Sequence, residues 1–509
     1  MEVFMPQRLL KMVLRAPVYD VAQETPLTHA MRLSIRLHNH ILLKREDLQP
    51  VFSFKLRGAY NRMLHLTQAE RENGVIAASA GNHAQGVALA AGRLGVIATI
   101  VMPQTTPPIK VDAVRRLGGK VVLFGDSYDQ AATYAKTLVA ETGATFIHPY
   151  DDWEVIAGQG TVALELLRQH PKPAKAIFVP VGGGGLIAGI AAVIKAIAPE
   201  TLIIGVEPED AACLTAALAA GERVILPSVG IFADGVAVAQ VGERPFQVAQ
   251  HYVDAMVTVS VDEMCAAIKD VFEDTRSIAE AAGALSVAGL KKYAAQQGWQ
   301  NEELIAIVSG ANMNFDRLRY IAERTELGEG TEALFAVTIP EKPGSFLQFC
   351  QLLGEKRAIT EFNYRYRDAR SAQVFVGIRL QQGQKEKEAT LATLLDAGFA
   401  AVDLSNNEMA KQHLRHLVGG AGGGILHEQV YRFEFPERPG ALLTFLSSMS
   451  AGWNISLFHY RNHGAAEGTV LAGIQVPPED LLEFERFLQG LGYPFSAECD
   501  NPAYQLFLS

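Results

Sequence analysis

Cysteine is scarce in this chain: Cys213, Cys265, Cys350 and Cys499 are scattered through 509 residues, with no paired spacing that would build a zinc site or a redox dithiol. They read as reduced core thiols of a cytosolic protein, and no metal site is expected. Clustered basic residues are missing too. With 45 Lys and Arg against 55 Asp and Glu, and a net charge of -10, the balance argues against a nucleic-acid surface and for a small-molecule partner. Arg8, Lys11 and Arg15 interrupt the apolar residues near the N-terminus, so no signal-peptide core forms and export is not expected. One charge-free run, Ala176 to Ile194, has the length of a membrane span. Pro180 and the four glycines Gly182 to Gly185 cut it into a strand, a loop and a helix, so no membrane association is expected.

The chain is too long for a single core, and with 49% hydrophobic and 20% charged residues it reads as a soluble, globular chain of two or more domains. A strand over Ile41 to Glu46 leads into Ser53-Phe54-Lys55-Leu56-Arg57-Gly58-Ala59, followed by helical periodicity over Arg57 to Leu66. A lysine in apolar and small surroundings loses part of its proton affinity and can form a Schiff base, although a lysine whose stem simply covers apolar surface has the same signature. A second strand, Gly74 to Ala78, runs into Ser79-Ala80-Gly81-Asn82-His83-Ala84-Gln85-Gly86, where a turn opens an alanine-rich helix. Amides at such a start favour anions, while Ser79 or Asn82 would equally serve as a helix cap. Strands at Ala98 to Met102, Lys120 to Phe124, Thr145 to His148, Ala176 to Val181 and Thr201 to Glu207 alternate with helices, the pattern of a parallel sheet wrapped by helices.

The glycine loop Gly182 to Gly185 lets backbone amides close on a phosphate. Gly183, Gly185 and Ala188 also satisfy G-x-G-x-x-A after a strand, and Glu207 follows 22 residues beyond Gly185, so a dinucleotide site stays open as a rival. The strand Leu304 to Ser309 ends in Ser309-Gly310-Ala311-Asn312, which puts Ser309 either in the crevice at the carboxyl ends of the strands or at the cap of a helix from Phe315. After a charged, glycine-containing linker at Glu326 to Gly330, the chain repeats itself. Glu341-Lys342-Pro343-Gly344 returns as Glu437-Arg438-Pro439-Gly440, and Phe362, Tyr364 and Arg365 return as Phe458, Tyr460 and Arg461, all at an offset of 96. Each copy predicts strand, turn, helix, two strands and helix, an α+β layer pair, with Gly419 to Gly424 as a flexible connector. Tyr364 and Tyr460 are candidates for a paired small-ligand site, against the commoner use of strand aromatics in packing.

The combination of SFKLRGA around Lys55, SAGNHAQG from Ser79, GGGGL from Gly182, SGAN from Ser309 and the duplicated tail resembles the fold type II pyridoxal-phosphate enzymes, and among them the biosynthetic threonine deaminases, over essentially the whole chain. The resemblance implies an α/β catalytic domain with parallel-sheet subdomains at 1–325, a linker at 326–334 and two ACT-like regulatory subdomains at 335–418 and 430–509. It implies that Lys55 binds pyridoxal 5'-phosphate covalently and acts as the base. Asn82 would bond the phenolic oxygen, Gly182, Gly183, Gly184, Gly185 and Leu186 would hold the phosphate, and Ser309 would meet the pyridine nitrogen. The substrate carboxylate would lie on Ser79, Ala80, Gly81 and Asn82. The implied reaction is deamination of L-threonine to 2-oxobutanoate and ammonia at the start of isoleucine biosynthesis. Isoleucine would inhibit and valine would oppose it, through Tyr364 and Tyr460, in a cytoplasmic homotetramer.

Ala80 stands where racemases of this fold carry their second proton donor, and Cys213 stands where an aspartate would complete a metal pattern with Glu207 and Ala211. Two further readings remain besides the lyase: a nicotinamide-dependent oxidoreductase on the Gly183 loop, and an amino-acid sensor led by the tail. A less regulated serine/threonine dehydratase is the nearer alternative, which the 96-residue repeat disfavours.

Overall fold

The computed structural model describes residues 6–340, 345–353, 359–366, 371–416, 426–436, 444–445, 448–450, 453–461 and 467–508. The chain divides into one unit of Met1–Phe315 and another of Asp316–Ser509.

The first unit holds two sheets. A six-stranded sheet runs in the order Leu27–His29, His40–Arg45, Glu303–Val308, Ala176–Pro180, Leu202–Pro208 and Ala255–Val259, parallel throughout except for the edge strand Leu27–His29. A fully parallel four-stranded sheet runs Lys120–Leu123, Ala98–Met102, Val75–Ala78, Thr145–Phe146. Parallel strands covered by helices lose water on both faces, and Val75–Ala78 and Ala176–Pro180 are accordingly apolar and buried along their whole length. The charge-free run is resolved as strand, glycine loop and the helix Gly185–Ile197, buried from Gly185 through Ile194, with its apolar side chains from Leu186 to Ile194 in one hydrophobic core cluster. Among the described residues no helix is long and apolar enough to cross a membrane. Cys213 and Cys265 are buried free thiols and Cys499 is a partly exposed one, while the side chain of Cys350 lies outside the described residues.

The second unit holds two four-stranded antiparallel sheets with the same topology. One is ordered Ile359–Tyr366, Ser371–Arg379, Glu332–Pro340, Ala400–Asp403, and the other Asn454–Arg461, Glu467–Gln475, Glu428–Pro436, Phe495–Ala497. The first strands begin at Glu332 and Glu428, 96 residues apart, and both copies carry a bulge at the same place, between Ile359 and Glu361 and between Ile455 and Leu457. An identical irregularity in two copies marks an inherited backbone feature, since a bulge redirects a strand. The copies share a core in which Leu334, Ala336 and Phe375 of one meet Val430 and Leu471 of the other.

The stretch 326–334 differs from the linker expected there. The helix Arg317–Gly328 takes its first three residues and the strand Glu332–Pro340 its last three. Gly330, at a φ of 67°, makes the left-handed stop between them, so the glycine and charges that suggested a linker are the end of a helix. The repeated Pro-Gly turns at 341–344 and 437–440 and the connector at 419–424 lie outside the described residues.

Candidate active site at the Lys55 crevice

Lys55 opens the helix Lys55–Leu64 and is held there from two sides. Ser53 forms an isolated bridge with Gly310, and the Phe54 amide donates to the Ser309 carbonyl at 3.2 Å, so the lysine turn is tied to the end of the Glu303–Val308 strand. On the other side, a Cβ on Gly86 would sit 3.0 Å from the Leu56 nitrogen, so a side chain there would force the helix Asn82–Leu94 back from the lysine turn. The Lys55 amine donates to the Pro149 carbonyl at 3.2 Å and lies 5.2 Å from the centre of the Phe54 ring. Burial pulls its pKa down to about 8, with the Glu280 carboxylate pulling the other way. His83 and His148 add no positive charge. Burial, helped by Lys55, holds His83 at about 3, and burial holds His148 at about 4 against Asp151 and Asp152.

The other motifs converge on the same place. Next to Pro149, the Tyr150 ring lies against the glycine loop, where a Cβ on Gly183 would be 2.2 Å from it. A Cβ on Gly182 would be 2.9 Å from Val236 Cα, and Gly184, at a φ of 89°, precedes the helix Gly185–Ile197 in which Leu186 is buried. The neighbouring Gly235 closes the circle, since its Cβ would lie 3.8 Å from both Asn82 Nδ2 and Glu280 Oε1. Lys55, Asn82, the glycine loop and Ser309 therefore surround one crevice.

Several side chains depart from the capping roles the sequence left open. Asn82 is the first residue of its helix, with Gly81 at the cap and no side-chain capping bond. Ser79 Oγ accepts from the Gly81 amide at 3.3 Å, and the Ser79 amide donates to Val101, so within that turn the amides of Ala80 and Asn82 remain for an anion among the described bonds. Ser309 is no cap for the following helix, which begins only at Arg317. Its buried hydroxyl donates to the Ala282 carbonyl at 3.2 Å. Glu207 is committed as well: it accepts from the amides of Leu214 and Thr215 at 2.7 and 2.9 Å and from the Thr215 hydroxyl at 2.6 Å. A carboxylate so engaged is not placed for a ribose, which removes the support for a dinucleotide site. Cys213 donates to the Gly182 carbonyl at 3.4 Å, and among the described residues no three His, Cys, Asp or Glu side chains are grouped to hold a metal.

Glu280, His148, Tyr150 and Asn312 line or brace the crevice without having been singled out as site residues. Glu280 had one legible signal, being the only charged residue between Ser277 and Leu290. Tyr364 and Tyr460 lie on paired strands, opposite Val374 and Val470, but their side chains lie outside the described residues.

The arrangement suits an aldehyde-bearing aromatic phosphate: a desolvated amine, a glycine loop packed so closely on Val236, Tyr150 and Pro245 that it stays bare of side chains, and helix-start amides for an anion. A family model described as pyridoxal-phosphate dependent enzyme matches residues 18–310, and one described as the C-terminal regulatory domain of threonine dehydratase matches 323–414 and again 419–508. The chain is 57% identical over 503 residues to a biosynthetic L-threonine dehydratase of Burkholderia multivorans, covering 98% of this chain and 99% of that protein. It is 55% identical over 500 residues to the Escherichia coli biosynthetic L-threonine dehydratase, with 98% and 97% covered. Among solved structures, the processed form of threonine deaminase isoform 2 from Solanum lycopersicum aligns at a TM-score of 0.62 and 54% identity over 62% of this chain and 92% of that one. A serine racemase from Dictyostelium discoideum aligns at 0.56 and 30% identity over 60% and 99%.

Proposed function

We propose the reaction of this site from one premise: the chain belongs to the pyridoxal-phosphate-dependent enzymes and, within them, to the biosynthetic L-threonine dehydratases with a C-terminal regulatory domain. The reaction is deamination of L-threonine to 2-oxobutanoate and ammonia, as a step of isoleucine biosynthesis. Water lost from the Cα hydrogen and the Cβ hydroxyl returns when the nitrogen is released, so the atoms of threonine are all recovered in the two products.

When bound, pyridoxal phosphate supplies an aldehyde for the Lys55 amine and an electron sink conjugated to the substrate Cα. Lys55 takes the Cα proton. With its pKa pulled down to about 8, a useful fraction of the amine is unprotonated near neutral pH. The turn at Ser79, Ala80, Gly81 and Asn82 would hold the substrate carboxylate through the amides of Ala80 and Asn82, since the Ser79 amide is bonded to Val101 and the Gly81 amide to the Ser79 hydroxyl, and the Asn82 side chain would orient the ring oxygen. Gly182, Gly183, Gly184, Gly185 and Leu186 would hold the phosphate, and the Ser309 hydroxyl, on turning its proton away from the Ala282 carbonyl, would meet the pyridine nitrogen. A neutral hydroxyl there leaves the sink weaker than a carboxylate would, which favours prompt loss of the β-hydroxyl. Ala80 offers no second proton donor, so proton transfer stays on the Lys55 side and elimination prevails over racemisation.

For the second unit we propose inhibition by isoleucine opposed by valine, with Tyr364 and Tyr460 in the effector sites, and a homotetramer working in the cytoplasm. Two matched copies with the same bulge support a paired binding device.

The observation that carries the catalytic reading is the convergence of a desolvated Lys55 with the glycine loop, Asn82 and Ser309 on one crevice. Steady-state release of 2-oxobutanoate from threonine and of pyruvate from serine, each with and without isoleucine, tests substrate and regulation together. Threonine turnover suppressed by isoleucine is expected; failure to release 2-oxobutanoate from threonine contradicts the reading.

A further inference from the structure

We propose that Glu280 is a positioning residue for the Lys55 crevice: its carboxylate fixes the orientation of the Asn82 amide and supplies the negative charge that faces the Lys55 amine. This rests on the cofactor reading only where it concerns what Asn82 would touch.

Glu280 immediately precedes the helix Ala281–Gln297, yet its side chain makes no capping bond there. Its backbone amide donates to the Gly310 carbonyl at 3.2 Å, which pins it to the Ser309–Asn312 turn. The carboxylate, 5% exposed as a residue, turns into the crevice and accepts from Asn82 Nδ2 at 2.5 Å. An ionised carboxylate only accepts hydrogen bonds, so this contact decides which end of the Asn82 amide faces it. The other end is fixed too: Asn82 Oδ1 accepts from Asn312 Nδ2 at 2.6 Å, and that nitrogen also donates to the Val51 carbonyl at 2.8 Å. With Oδ1 and one hydrogen of Nδ2 engaged, the second hydrogen of Nδ2 is the one left for a ring oxygen.

Space is reserved for this carboxylate. A Cβ on Gly310 would lie 2.4 Å from Glu280 Oε1, and a Cβ on Gly235 would meet Ala282 Cβ at 2.9 Å with the carboxylate 3.8 Å away. The glycine of the Ser-Gly-Ala-Asn motif thus has a local reason: a side chain there would push Glu280 off Asn82. Among the described residues Glu280, His83 and His148 interact electrostatically with Lys55, and burial holds both imidazoles well below their ordinary value. The carboxylate is the charged one, and it opposes the effect of burial on the amine.

The full-length parent, Glu280→Gln and Glu280→Asp proteins are compared by two readouts, with melting temperature as a folding control. One is the fraction of pyridoxal phosphate kept through dialysis; the other is the pH midpoint of Lys55 acetylation in the dialysed protein, read by mass spectrometry. Glu280→Gln keeps the shape and removes the charge, so the Lys55 midpoint should fall by about one unit and cofactor affinity by about tenfold. Glu280→Asp keeps the charge but withdraws it by one methylene, so the midpoint should stay near the parent's while cofactor retention falls. That split is what a merely structural role would not produce. Identical retention in all three proteins overturns the proposal, as does a Lys55 midpoint unmoved by Glu280→Gln. A parent that takes up no pyridoxal phosphate refutes the cofactor reading instead, and the Lys55 midpoint then decides the role of Glu280 alone.

Discussion

Replacing Glu165 with alanine should destabilise the first unit severely, because this carboxylate joins two cations that have no access to water. Lys44, Arg57 and Glu165 all have fully buried side chains. Glu165 accepts from Lys44 Nζ at 2.6 Å, Arg57 Nη1 at 2.7 Å, the Tyr19 hydroxyl at 3.0 Å and the Thr25 amide at 3.2 Å. Removing one partner of a buried pair typically costs about 3–5 kcal/mol. Arg57 keeps both bonds to Glu46 at 2.8 Å, and Lys44 keeps the Thr25 carbonyl and Gln169, so the lower end, about 3 kcal/mol, is expected here. That is a large part of an ordinary domain stability of about 5–15 kcal/mol. Burial alone would raise the Glu165 carboxyl, but Arg57 and Lys44 outweigh it and hold it below its usual value. A depressed folded pKa adds stability that is present above the unfolded pKa and lost as pH falls through the folded one. The difference between parent and Glu165→Ala should therefore be constant from neutral pH down to the ordinary carboxylate range and shrink in acid. The assay is urea unfolding read by hydrogen exchange of peptides from Trp153–Gln169, which separates this unit from the other. Glu24→Ala, which breaks an exposed pair with Arg168, is the comparator and should cost under about 1 kcal/mol. A Glu165→Ala loss as small as that comparator's refutes the reasoning.

Gly183→Ala should bind pyridoxal phosphate more weakly by at least about tenfold, because its Cβ would fall 2.2 Å from the Tyr150 ring and move the loop; spectrophotometric titration checks it. Asp152→Ala should cost about 1 kcal/mol of stability, since Asp152 caps the helix Trp153–Gln169 through the amides of Glu154 and Val155; thermal unfolding measures it. In cofactor-free protein, Lys55 acetylation should rise with pH through about 8, as the ammonium loses its proton, instead of near 10.5; a midpoint at the ordinary value contradicts the desolvation of the crevice. Tyr364→Ala or Tyr460→Ala should weaken isoleucine inhibition and leave basal threonine turnover mostly intact, and unchanged inhibition curves in both would remove the tyrosines from the effector sites.

The parts of the crevice that were legible in the sequence sit at turns where a strand meets a helix, because glycine and small residues in such turns have few other uses. Lys55, Asn82, Gly182 to Gly185 and Ser309 are of this kind, and the tail announced itself by repetition. Tyr150 was not legible and Glu280 showed only as a lone charge between Ser277 and Leu290, because each reaches the crevice through pairing of distant segments and belongs to no turn motif. The buried ion network was hidden for a different reason. Lys44, Glu46, Arg57 and Glu165 look like exposed charges until the folded chain shows two cations and two carboxylates neutralising one another out of water. Local chemistry also misled: Ser79, Asn82 and Ser309 are good caps by type, but each has its side chain committed to the crevice or to a nearby backbone group. Glu326 to Gly330 looked like a linker because a helix end and a linker share glycine and charge.

The chemistry of the crevice depends on one lysine carrying the cofactor. Borohydride reduction of the purified full-length protein, followed by peptide mass spectrometry, tests it most directly. A reduced pyridoxyl adduct on Lys55, with loss of the visible absorbance band, is the predicted result. An adduct on another lysine, or none in a protein supplied with pyridoxal phosphate, would contradict the account.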